Sequence, residues 1–198
     1  MAALTEPLAC GWHAARLGLQ LQDTPVSDLK CVVLGGGAIG VGAALCLRAM
    51  GVQDITVIEV NPLRLETLHS IVGFTASDGF DANSPLPSTA NLVIDGVGFA
   101  VTRASACELA KPGGVICHIG LGSADGGIDV RRLTLQEITF IGTYTYTPQD
   151  FRDTGAAIFA GHLGSLDWVE TRPLSQGQAA FEDIHNGRTA APKIILIP

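Results

Sequence analysis

Apolar positions are densest between Lys30 and Glu59, and their spacing changes twice within that stretch. Cys31-Val32-Val33-Leu34 is a short run rich in β-branched residues, of strand length, that stops at Gly35-Gly36-Gly37. From Ala38 to Met50 the chain is apolar except for Arg48, which predicts a helix buried on nearly all sides. Ile55-Thr56-Val57-Ile58 then forms a second strand ending at Glu59. Strand, glycine turn, helix and strand make one βαβ unit.

The flanking pattern repeats this alternation. Leu8, Trp12, Ala15 and Leu19 share one face of a helix expected over Glu6–Leu19, and a polar connector with Pro25 leads into the first strand. Asn61-Pro62 opens a helix to about Ser70, with proline in the first turn, where its missing N–H costs little. A short third strand is expected over Ile71–Thr75 and a loop over Asp78–Thr89. Asn91–Asp95 reads as the fourth strand, Ala100–Ala110 as a helix, and Lys111-Pro112-Gly113-Gly114 as a turn. Val115–Ile119 is the fifth strand and Glu137–Tyr144 the sixth, with Ile138, Phe140 and Gly142 alternating; a long helix follows Pro148 to about Ala160. The tail reads as a strand at Trp168–Thr171, a helix over Gln176–Asn186 and a strand at Lys193–Ile197. Together these predict an α/β fold: a doubly wound, parallel, six-stranded Rossmann sheet of order 3-2-1-4-5-6. The expected divisions are an N-terminal helix and linker at 1–29, a dinucleotide-binding domain at 30–164, and a strand-helix-strand tail at 165–198.

The chemistry follows from the turn. Gly35, Gly37 and Gly40 fit G-x-G-x-x-G, a weak signal alone because 24 of 198 residues are glycine. Its position after a strand and before a helix, with an acid about 20 residues on, is the stronger part. Gly35 permits the sharp turn, Gly37 leaves room for a pyrophosphate, and Gly40 allows close packing. The helix tip at Ala38 and Ile39 offers N–H groups and a positive dipole end to phosphate. Glu59 accepts ribose hydroxyls and repels a 2′-phosphate, so NAD is expected over NADP, with Arg64 softening the preference. Ligands of open α/β sheets sit outside the carboxyl ends of the strands, which gathers Gly35–Gly40, Glu59, Asp95–Gly98 and Ile119–Leu121 around one crevice. Asp95 is either part of that crevice or only a strand-end turn residue.

Composition narrows the setting. An apolar share of 47% with 16% charged residues supports a large core. A formal charge of −7 argues against nucleic acid or an anionic membrane as partner. Cys10, Cys31, Cys46, Cys107 and Cys117 have no C-x-x-C spacing, and four of them lie in apolar runs. They are expected to be reduced core residues of a cytoplasmic protein. Neither a signal peptide nor a membrane span is legible.

Taken together, the motifs resemble the cofactor-binding half of the zinc-containing medium-chain alcohol and polyol dehydrogenases, of the sorbitol and threonine dehydrogenase type. The similarity rests on Glu6-Pro7-Leu8-Ala9, Val33 to Gly40, Val93-Ile94-Asp95-Gly96-Val97-Gly98, Lys111-Pro112-Gly113-Gly114, and Gly142-Thr143-Tyr144 to Pro148-Gln149-Asp150-Phe151. The resemblance implies that Glu59 and Arg64 meet the adenosine, and that Val97, Ile119, Leu121 and Thr143 line the nicotinamide side. It implies that Lys193 reaches towards the pyrophosphate, the alternative being a solvated lysine before the last strand. It also places Glu6 in the immediate surroundings of the catalytic zinc.

The departures set limits. No Gly-His-Glu segment and no four-cysteine lobe exist here, and His13, His69, His118, His162 and His185 have no ligand spacing. The expectation is therefore a chain that binds dinucleotide but lacks a complete zinc site, and so does not oxidise an alcohol alone. In the family the tail completes a catalytic domain; the expected origin is truncation of a larger enzyme, with Met1-Ala2-Ala3 as the new start. A homodimer through the edge strand at 137–144 is implied too. Two alternatives stand beside this: a stand-alone nucleotide-binding or dimerisation module, and an S-adenosylmethionine-dependent methyltransferase. The latter commonly has an acid before its glycines, where this chain has Val33-Leu34.

Overall fold

In the computed structural model, residues 2–79 and 86–198 are described. The chain enters through helix α1 (Thr5–Gln20) and strand β1 (Lys30–Leu34), and passes through the glycine turn into α2 (Ala38–Ala49) and β2 (Asp54–Ile58). It continues as α3 (Pro62–His69), β3 (Thr75–Ser77), β4 (Ala90–Asp95), α4 (Ala100–Leu109), β5 (Ala110–His118), α5 (Val130–Leu135), β6 (Thr139–Gly142) and α6 (Pro148–Phe159). The tail is β7 (Val169–Pro173), α7 (Gly177–His185) and β8 (Lys193–Ile197). The main sheet is parallel with order β3-β2-β1-β4-β5-β6, as expected, and β7 and β8 form a separate parallel pair.

Successive strand residues point to opposite faces, and each face has its own core. Cys31, Val33, Leu92, Ile94, Val115 and Cys117 join one cluster together with Leu8, Val41, Leu45 and Leu47 of α1 and α2. Val32, Leu34, Val93 and Ile116 join the other, under Ala106 and Leu109 of α4. Helix α2 is buried from Gly40 to Leu47, because α1 covers the side the sheet does not. That contact is intimate: a Cβ on Gly11 would lie 2.5 Å from the Ala43 nitrogen.

A second tie joins α1 to α6. Asp150 is 1% exposed, and its carboxylate accepts from Arg16 Nε at 2.7 Å, Thr147 Oγ1 at 2.7 Å and the Thr147 N–H at 2.9 Å. His13 Nδ1 lies 2.8 Å away. Burial alone would raise this carboxyl, but hydrogen bonds from Arg16, Thr147 and His13 outweigh it and hold it well below the usual carboxylate range.

Several boundaries differ from expectation, each for a local reason. The third strand lies at Thr75–Ser77 rather than Ile71–Thr75. The end of α3 winds on through an Ile71 N–H to Leu68 O bond, and Gly73 at φ +124 reverses the chain before pairing starts. Lys111–Gly114 is not a turn outside the strand: β5 runs through it, and pairing jumps from Ala90–Ala110 to Leu92–Val115. The extra residues bulge there, with Gly113 at φ +71. The sixth strand is only Thr139–Gly142, because Glu137 and Thr145 adopt φ values of +52 and +49, which break the extended backbone on either side. Helix α5 has no counterpart among the expected elements. Of the expected loop over Asp78–Thr89, residues 80–85 lie outside the described residues.

The tail docks on the sheet domain. Trp168 belongs to the larger core cluster, Val169 and Ile195 pack against it, and Asn61 Nδ2 donates to Gly187 O at 2.8 Å. All five cysteines are buried and free. Burial pushes the Cys31 and Cys117 thiols up to about 12, and burial followed by the Glu6 charge pushes Cys10 up to about 11. Among the described residues no helix is long and apolar enough to cross a membrane.

Candidate functional site

At the carboxyl ends of β1, β2 and β4 the sheet opens into a crevice of about 740 Å³. Gly35 takes φ +94 as the chain leaves β1, and Gly40 returns so close that a Cβ on it would lie 1.8 Å from Gly35 O. Only glycine tolerates that approach, so the turn is locked against the first turn of α2. A Cβ on Gly37 would meet nothing within 4 Å, so the turn's outer surface faces open space. Gly37 is also the N-cap of α2 and offers no capping side chain, which leaves helix-tip N–H groups without the usual partner.

Glu59 ends β2 at the crevice edge and is 5% exposed. Its Oε2 accepts the Gly36 N–H at 2.9 Å and Arg64 Nη1 at 2.9 Å, and Oε1 accepts the Asn61 N–H at 2.8 Å. The acid is thus bonded to the glycine turn on one side and to the start of α3 on the other. Arg64 Nε is buried and has no partner among the described residues.

Asp95 is fully buried at the end of β4. Its Oδ1 accepts the Val97 and Gly98 N–H groups at 3.0 and 2.9 Å, while Thr102 Oγ1 and His118 Nδ1 reach Oδ2 at 3.0 and 3.1 Å. Asp95 therefore shapes the turn after β4, and does not itself line the crevice. Gly98 and Gly120 touch backbone to backbone: a Cβ on Gly98 would lie 2.0 Å from Gly120 O.

Of the sequence-derived candidates, Gly35, Gly37, Glu59, Arg64 and Val97 line this one crevice. Ala38, Ile39 and Gly40 form the first turn of α2 directly behind it. Ile119 is held by its N–H to Asp95 O at 3.0 Å, and the Thr143 N–H donates to His118 O at 2.9 Å. Leu121 is 86% exposed and lines a neighbouring cavity instead. Lys193 is not brought to the crevice; it starts β8, paired with Val169 in the tail. Glu6 is exposed on α1, with Cys10 Sγ at 3.9 Å from its Oε1. Among the described residues no group of three or more His, Cys, Asp or Glu is placed to hold a metal ion. Phe99, Val101, Thr102 and Ser105 also line the crevice, and no motif marked them. Their i, i+3 and i, i+4 spacing at the start of a helix that follows a strand was the available signal.

The family model described as zinc-binding dehydrogenase matches residues 38–160, more than half of the chain. The chain belongs to the zinc-binding dehydrogenase family. It is 28% identical to D-altritol 5-dehydrogenase of Agrobacterium fabrum, over 73% of this chain and 44% of that protein. It is also 28% identical to L-galactonate-5-dehydrogenase of Escherichia coli, over 98% of this chain and 58% of that protein. The fold is shared with acetophenone reductase from Geotrichum candidum, solved in complex with NAD: TM-score 0.85 at 20% identity, covering 99% of this chain and 55% of that one. The chain thus spans about half the length of the family relatives it matches. Membership in this family decides against the methyltransferase alternative.

Proposed function

We propose that this chain is the NAD-binding portion of a dehydrogenase that passes hydride between a secondary alcohol or polyol and NAD. The observation that carries it is the pairing, in one crevice, of open space over Gly37 with a fixed carboxylate at Glu59. In this reading Gly35, Gly37 and the helix-tip N–H groups of Ala38, Ile39 and Gly40 hold the pyrophosphate. Glu59, with Arg64 beside it, meets the adenosine ribose. Val97, Ile119, Leu121 and Thr143 bound the nicotinamide end, and Lys193 approaches the pyrophosphate only if the tail shifts. The relative named D-altritol 5-dehydrogenase supports the polyol class, L-galactonate-5-dehydrogenase supports a secondary alcohol more broadly, and the NAD complex of the acetophenone reductase supports the cofactor.

Because the described residues hold no zinc-ligand set, the chain alone is expected to bind the dinucleotide without turning it over. Calorimetry with NAD, NADP and S-adenosylmethionine tests the first half; failure of NAD to bind would refute the assignment. Addition of zinc and a polyol panel, followed by reduced-cofactor absorbance, tests the second, and turnover would show a complete site. If the chain binds NAD yet serves only as a nucleotide-binding module, joining it to a catalytic half restores nothing. The open edge of β6 is proposed as a homodimer seam, since an exposed strand edge pairs readily with a second copy. Light scattering checks this, and a monomer mass would count against it. The compartment proposed is the cytoplasm.

A further inference from the structure

Asn61 touches both the crevice and the tail. It follows Glu59 and Val60, which line the crevice, and it caps α3: its Oδ1 accepts the Leu63 and Arg64 N–H groups at 3.0 and 3.4 Å. Its own N–H donates to Glu59 Oε1 at 2.8 Å, and its Nδ2 donates to Gly187 O at 2.8 Å. One residue thus holds the crevice acid with its backbone and the tail with its side chain. Gly187 ends α7 at φ +65, where the Arg188 N–H bonds back to Asp183 O at 2.8 Å. Asp183 Oδ2 in turn accepts Arg172 Nη1 of β7 at 2.8 Å. A shift at Gly187 is therefore carried into α7 and on to the β7–β8 pair.

The two oxygens of Glu59 are not equally occupied. Oε2 accepts both the Gly36 N–H and Arg64 Nη1, whereas among the described residues Oε1 accepts the Asn61 N–H alone. A carboxylate oxygen has about two acceptor positions. An added hydroxyl therefore finds its place on Oε1, beside the Asn61 N–H. A ligand seated there steadies the Val60–Asn61 segment, and with it the amide that holds Gly187. Two binding events that need the same residue ordered favour one another.

We infer that Asn61 is a positioning residue coupling the crevice to the tail. A ribose hydroxyl on Glu59 Oε1 tightens the tail on the sheet domain, and the docked tail tightens the hold on the nucleotide. The inference rests on the dinucleotide reading for its ligand, while the Asn61–Gly187 tie belongs to the free chain. The test is amide hydrogen exchange of the intact chain with and without NAD, beside calorimetry. NAD is expected to slow exchange over residues 186–197 about three- to tenfold, the range one ordinary hydrogen bond transmits. Asn61→Ser keeps a capping oxygen and the backbone N–H to Glu59 but is too short to reach Gly187. Its tail should exchange faster in the free chain and ignore NAD, and by linkage its NAD affinity should fall by the same factor. Gly187 lies outside the crevice, yet a Cβ there would sit 3.2 Å from Asn61 Nδ2. Gly187→Ala should therefore weaken NAD binding too, and the double variant should lose no more than the worse single one. Circular dichroism verifies that each variant is folded. A tail response to NAD that survives in Asn61→Ser, or losses that add in the double variant, would overturn the inference. NAD binding with an unresponsive tail would overturn the coupling alone, whereas no NAD binding would overturn the dinucleotide reading and the coupling with it.

Discussion

Replacing Asp150 with asparagine keeps the shape of the side chain but removes its charge and turns one acceptor into a donor. In the native chain Arg16 Nε faces Oδ1 at 2.7 Å, while His13 and Thr147 crowd Oδ2. Whichever way the amide is turned, an N–H₂ must confront a donor. A hydrogen bond to a charged group is worth about 1.5–3 kcal/mol. The Arg16 side chain is 33% exposed, so solvent screening places the loss at the lower end, about 2 kcal/mol. For a chain of this size each kcal/mol moves the midpoint roughly 2–4 °C, which gives a fall of about 4–8 °C at neutral pH. The pH dependence supplies the sharper test. The native carboxyl lies below its unfolded value, so its stabilisation is fully present above the ordinary carboxylate range and is lost as pH falls through the native value. Thermal melts of both proteins should stand furthest apart at about pH 6–7 and begin to converge only below about pH 4, closing further as pH falls towards the native value. A midpoint within about 1 °C of the parent at neutral pH, or a gap that stays constant into acid, would refute this account of the α1–α6 tie.

Other outcomes are expected from the same geometry. Gly40→Ala places a methyl 1.8 Å from Gly35 O, so the turn must open; dinucleotide affinity should fall at least tenfold in calorimetry, with a stability loss of about 1–3 kcal/mol by denaturant titration. Arg64→Ala removes the cation beside Glu59 and should shift preference towards NAD over NADP by about tenfold or more, read as a ratio of dissociation constants. The native thiols should resist a neutral-pH disulfide reagent, since burial holds Cys31 and Cys117 near 12, and all five should react on addition of denaturant.

Element type and order were legible because the chain's apolar periods change sharply at the turns, as at Leu34–Gly35 and Gly51. The places where expectation failed share one cause: they are set by pairing geometry rather than by residue type. Ile71 and Phe74 are as apolar as a strand requires, yet they pack half-buried against the core through a reversal, because β2 offers β3 partners only at Thr56, Val57 and Ile58. Glu137 and Thr145 carry no conformational signature that would shorten β6 from the sequence alone. Helix α5 is brief, and its start depends on Asp129 capping the Arg132 N–H at 2.9 Å, a signal that is common in loops as well. Lys111-Pro112-Gly113-Gly114 has turn chemistry and uses it, but inside a strand.

For the site, motif reading found the parts and missed how they are joined. The glycine turn and the acid at Glu59 count as separate marks in sequence, spaced about 20 residues apart. In the fold Glu59 grips the Gly36 N–H directly, so acid and turn form one bonded unit. A carboxylate has about four acceptor positions, and the Gly36, Asn61 and Arg64 donors already fill three of Glu59's. A ribose hydroxyl therefore has about one free position, unless Arg64 gives way. Arg64 is the one side-chain donor of the three; the other two are backbone N–H groups held by the glycine turn and the start of α3. On the proposed reading, an arriving sugar hydroxyl either takes that one position or displaces Arg64, which makes Arg64 as well as Glu59 a determinant of nucleotide affinity.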